Sequence, residues 1–131
     1  MIYVGSAGPA LRNQMIGKSC ALFHPKNSHE PIGLSVIESM ACGTPPNSYN
    51  KGSMPVLIDH GNNGFLVSDC VEAVEHGARL KDVDRSDCRR TVEDRFTVDR
   101  MVEKYLEVYT QVLEEVNKDL RTAKPLRTKH Q

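Results

Sequence analysis

Apolar positions along the chain fall into two rhythms: short continuous runs, and longer stretches with one apolar residue every three or four positions. The runs Ile2-Tyr3-Val4, Ala21-Leu22-Phe23 and Gly64-Phe65-Leu66-Val67 predict strands, since a parallel strand covered on both faces is apolar throughout. Leu11, Met15 and Ser19 share one face of a helix predicted over 10–19, and Leu34, Ile37 and Ala41 share one over 33–42, closed by Gly43 and Pro45. Pro55-Val56-Leu57-Ile58 predicts an apolar helical turn, and Asp59 to Asn63 a polar turn. Ser68 or Asp69 caps a helix running through Val71, Val74 and Ala78 to Leu80, and Asp84 caps another over 85–95. Thr97 caps a long final helix whose Val98, Met101, Val102, Tyr105, Val108, Tyr109, Val112 and Val116 form a single stripe. From Lys118 the sequence is polar and basic and is expected to be disordered, so the domain is read as 1–117 with a tail of 118–131.

The helix over 33–42 has an unusual start. Pro31, Ile32 and Gly33 offer no side-chain oxygen to the free amides of the first turn. An anion there would accept from the amides of Gly33, Leu34 and Ser35 and meet the positive end of the helix dipole. Gly33 would let a phosphate come close. Glu30 lies outside the helix beside that position, and Glu38 stands five residues beyond Gly33, roughly 7 to 8 Å along the axis. Carboxylates only accept hydrogen bonds, which suits paired sugar hydroxyls, so a diphosphate with a sugar on each side fits the spacing. An ordinary surface helix with two solvated glutamates fits it as well.

Glu30-Pro31-x-Gly33-Leu34 followed by Glu38-Ser39-Met40-Ala41-x-Gly43-x-Pro45 resembles the signature of the retaining glycosyltransferases of family four, also called group 1, which have the two-domain GT-B architecture. The likeness continues through Tyr3-Val4-Gly5, Ala21-Leu22-Phe23-His24-Pro25, Gly52-Ser53-Met54-Pro55, Gly64-Phe65-Leu66-Val67 and Arg95-Phe96-Thr97, from about Met1 to Glu115. The resemblance implies an α/β fold, a partial doubly wound (Rossmann-like) parallel sheet of about four strands with flanking helices and a long C-terminal helix. It assigns Glu30 to the donor sugar as the catalytic-site carboxylate, Gly33, Leu34 and Ser35 to the diphosphate, and Glu38 to the nucleotide ribose. The donor would be a UDP- or GDP-sugar, with no metal or other cofactor.

Two places depart from the family pattern. Where the family has a β-branched buried strand this chain has Pro46-Asn47-Ser48-Tyr49, expected to be short or frayed: Pro46 lacks an amide, and burying Asn47 and Ser48 unpaired would cost about 1 to 3 kcal/mol each. Val56 stands where the family commonly has glutamate. Four strands instead of about six mark the chain as the back half of a donor domain. The upstream Arg and Lys of the family pattern would lie in the front half, leaving Lys26 and Lys51 as the nearby substitutes. An acceptor domain or partner chain is then needed, and the isolated chain is expected to be inactive.

Composition narrows the classes. Seventeen Lys and Arg balance seventeen Asp and Glu, so net charge points to neither a nucleic acid nor more than a peripheral membrane contact. Cys20, Cys42, Cys70 and Cys88 are far apart, without zinc-ligand spacing, which fits a reducing cytoplasm. No apolar run is long enough to span a bilayer. Two readings follow: the donor-binding part of a glycosyltransferase, or a decayed remnant acting as a non-catalytic nucleotide-binding or interaction module.

Overall fold

The computed structural model describes residues 2–122. The chain divides into two compact units, Met1–Phe96 and Thr97–Gln131. In the first, among the described residues, three parallel strands form one sheet: β1 (Leu22–His24), β2 (Pro46–Tyr49) and β3 (Phe65–Val67), in the order β1-β2-β3. Leu22 pairs with Pro46 and His24 with Ser48, while Asn47 pairs with Phe65 and Tyr49 with Val67. Helices α1 (Pro9–Lys18), α2 (Leu34–Ala41), α3 (Met54–Leu57), α4 (Cys70–Gly77) and α5 (Arg85–Arg95) surround it, with a 3-10 turn at Leu80–Asp82. The α/β class with parallel strands and flanking helices is thus present.

α2 lies on β1 and β2 and packs against α5. Its buried positions Val36 and Met40, four apart, meet a core of Met54, Leu57, Ile58, Phe65, Val67, Leu80, Val83 and Cys88. Asp69 caps α4 by accepting from the amides of Val71 (2.8 Å) and Glu72 (2.9 Å), and Asp84 caps α5 through Ser86 (2.8 Å).

Two expectations about strands are corrected. Ile2-Tyr3-Val4 is not a strand: its residues are exposed and nothing pairs with them in the sheet, so the apolar run lacks the second strand that would satisfy its backbone. The Pro46–Tyr49 segment, expected to be short or frayed, is short at four residues but does not fray: it is the central strand and is buried over Pro46, Asn47 and Ser48. Its polar side chains find partners: Ser48 Oγ donates to the His24 carbonyl (3.2 Å), and Asn47 Nδ2 donates to the Ala73 carbonyl of α4 (2.9 Å). Pro46 sits at the first residue of the strand, where a missing amide is tolerated.

Among the described residues the second unit holds one long helix, α6 (Val98–Thr122), with Thr97 Oγ1 accepting from the Arg100 amide at 3.3 Å. Tyr105 and Tyr109 in its apolar stripe have ring centroids 6.1 Å apart. The helix extends through Thr122, so 118–122 are helical where a disordered tail was expected; the remainder of that tail lies outside the described residues. Among the described residues no helix is long and apolar enough to cross a membrane.

Candidate functional site

The loops that follow β1 and β2 leave the sheet at its carboxyl edge, side by side because the strands are parallel. This is the edge at which open α/β sheets bind ligands. The two loops are stitched together: the Ser53 amide donates to the Glu30 carbonyl (2.9 Å), and Lys51 Nζ donates to Asn27 Oδ1. Gly52, at φ +59°, makes this approach feasible. A Cβ there would lie 2.5 Å from the Glu30 carbonyl oxygen and 2.7 Å from its nitrogen.

Glu30 is thereby fixed at the entrance to α2. Its carboxylate accepts from Lys26 Nζ at 2.5 Å. The Lys26 hydrogen bond and charge, with smaller help from the Gly33 amide and His24, hold the carboxyl below the usual glutamate range. Lys26, one of the two lysines singled out in the sequence, therefore meets the catalytic-site candidate.

Gly33 precedes α2 with φ +75° and ψ 43°, and among the described residues no side chain caps the helix. Packing within the chain gives a further reason for glycine here. A Cβ at Gly33 would lie 2.5 Å from Met54 Cε and 2.8 Å from Leu57 Cδ1, so packing against α3 and the left-handed backbone both demand glycine. The Gly33 amide is also drawn to Glu30. Leu34 and Ser35, both exposed, open the helix, and Ser53 Oγ is buried nearby without a hydrogen-bond partner. Glu38 stands about one turn further along α2 and meets Arg12 of α1, whose Nη2 is 3.2 Å from Glu38 Oε1. The structure thus sets Leu34, Ser35 and Glu38 on α2, Gly33 at its N-cap and Glu30 on the loop that enters it.

Sequence reasoning missed Arg12, His24 and Ser53. Periodicity pointed to the face of Leu11 and Met15, which is exposed, whereas the half-buried positions of α1 are Arg12, Ile16 and Gly17. His24 was one of five scattered histidines. Ser53 could have been found as the residue after the glycine of a loop at the same sheet edge.

A family model for glycosyl transferases group 1 matches residues 5–90. The chain belongs to that family of sugar-transferring enzymes, and the matched residues include the whole of the site. It is 32% identical over 93 residues to a probable sucrose-phosphate synthase of Thermosipho melanesiensis, covering 68% of this chain and 22% of that protein. It is 30% identical over 92 residues to the N-acetyl-alpha-D-glucosaminyl L-malate synthase of Bacillus anthracis, covering 64% of this chain and 24% of the relative. The chain thus spans about a quarter of the length of these curated relatives. The crystal structure of Anabaena HepE in complex with UDP superposes with a TM-score of 0.61 at 22% identity, over 75% of this chain and 29% of that one, which establishes the shared fold.

Proposed function

We propose that this chain is the donor-binding part of a retaining glycosyltransferase that takes a sugar from a nucleotide-diphosphate donor to an acceptor, and that alone it turns over nothing. The observation that carries the reading is the uncapped start of α2, flanked by Glu30 on its entry loop and Glu38 one turn inside. The free amides of Leu34 and Ser35 and the helix dipole would stabilise the departing diphosphate. Glu30 would orient the donor sugar, and Glu38 would accept hydrogen bonds from the ribose. Lys26 and Lys51 would supply positive charge at the rim. That HepE was crystallised with UDP supports a uridine donor. The acceptor site would come from a further domain or a partner chain.

The test is an amide NMR titration of the purified chain with UDP, GDP and ADP. Saturable shifts at Gly33, Leu34 and Glu38 are expected, with Glu38→Ala weakening binding more than Glu30→Ala, because nucleotides lack the sugar that Glu30 is assigned. Equal affinities in both variants and the parent would remove the assigned roles. Val56, 60% exposed where the family commonly has glutamate, favours the second reading, a non-catalytic nucleotide-binding module. Under that reading the nucleotide shifts persist, but no sugar is transferred even when the missing domain is supplied.

A further inference from the structure

α1 is fastened at its carboxyl end. The Arg85 guanidinium donates to the carbonyls of Ser19 (2.9 Å) and Gly17 (2.7 Å) and to Thr44 Oγ1 (2.9 Å), while Thr44 Oγ1 donates to the Ile16 carbonyl (2.7 Å). One side chain thereby joins α1, the turn after α2 and the start of α5. This clamp sets α1 beside α2 and brings Arg12 to Glu38.

Stability does not account for the contact. The two side chains are 42% and 40% exposed, and ion pairs at that exposure add little to folding. Arg12 Nε is buried without an acceptor, which subtracts from it. What the contact does is geometric. It sets the cationic guanidinium 3.2 Å from Oε1, which favours the carboxylate orientations that keep that oxygen beside Arg12.

We propose, resting on the donor-site reading above, that Arg12 is a positioning residue for the nucleoside: it holds the Glu38 carboxylate in the orientation that accepts the ribose hydroxyls. Without Arg12 the Glu38 side chain must be ordered by the ligand itself, and the loss falls on ligands that use both hydroxyls. The diphosphate, bound at the start of α2, is untouched.

Arg12→Ala and Arg12→Lys are compared with the parent as full-length chains by calorimetric titration. The ligands are UDP or GDP, the corresponding 2′-deoxynucleotide, and inorganic pyrophosphate. Arg12→Ala is expected to weaken the ribonucleotide about tenfold, to shrink its advantage over the deoxynucleotide, and to leave pyrophosphate unchanged. Arg12→Lys should recover part of the ribonucleotide affinity. Parallel weakening of the ribo- and deoxynucleotide, or a loss of pyrophosphate binding, overturns the positioning role. Nucleotide binding that needs Glu38 but ignores Arg12 overturns this proposal alone. A parent chain that binds no nucleotide overturns the donor-site reading, and this proposal with it.

Discussion

Two titratable groups in this protein shift in opposite directions, for different physical reasons. Glu30 stays near solvent, and Lys26 stabilises its charged form, so its carboxyl is held low. Cys88 is buried beneath α5, with Sγ donating to the Asn63 carbonyl (3.2 Å), and burial pushes its thiol up from 9.0 to about 11. A folded-state value above the unfolded one gives stability that is complete below pH 9 and is lost as pH rises toward 11. Glu30 has the reverse sign. Its contribution is present above the unfolded glutamate range and is lost as pH falls through the lowered folded value. We therefore expect the parent to lose stability more steeply than Cys88→Ala between pH 9 and 11 in urea melts, whereas parallel curves would show that the thiol does not titrate in that way. Neither shift was legible in the sequence, because one depends on how the loop sets Lys26 against Glu30 and the other on the core that closes over Cys88.

Among the elements, β2 shows how a polar strand survives at the centre of a sheet. Asn47 is 2% exposed; its Nδ2 donates to Ala73, but its Oδ1 is buried with no partner. The bond to Ala73 also identifies which amide atom is nitrogen, since a carbonyl accepts only from a donor. An unsatisfied buried oxygen costs on the order of 1 kcal/mol or more, and the Ala73 carbonyl, in the first turn of α4, can accept from the helix ladder without Asn47. Asn47→Val should therefore raise unfolding stability by about 1 kcal/mol in urea. A loss of that size would show that the Asn47 bond to α4 outweighs its orphan oxygen. The helix starts were more readable than this strand: Asp69, Asp84 and Thr97 are caps in the structure as their chemistry dictates.

For the whole molecule, family membership and fold leave donor binding as the property to measure. A nucleotide that binds the folded chain alone adds RT ln(1 + [L]/Kd), roughly 2.7 kcal/mol at a hundredfold excess over Kd. UDP or GDP at such concentrations should raise the thermal midpoint by several degrees, and an unchanged midpoint across a wide concentration range would count against a donor site in this chain. The effect belongs to this scale because the proposed site would join the α2 amides, Glu30 and Glu38 only after the two strand-end loops have met.

From the sequence alone, local chemistry determined where the main helices lie and what caps them, and the resemblance supplied the α/β class and the pair of glutamates at and beside the signature helix. Those features depend on neighbours within a few residues, and the chain carries them wherever it lies. Tertiary structure decided the rest. It removed Ile2-Tyr3-Val4 from the sheet, because a strand exists only if another strand satisfies its backbone. It made Pro46–Tyr49 the central strand, because His24 and Ala73, distant in sequence, accept from Ser48 and Asn47. It assigned Gly33 to packing against α3, and Gly52 to the close approach of Glu30. It joined Arg12 to Glu38 across 26 residues, through a clamp whose arginine lies on a third element. Such contacts are set by the closure of loops between remote segments, and no periodicity within either segment encodes their geometry.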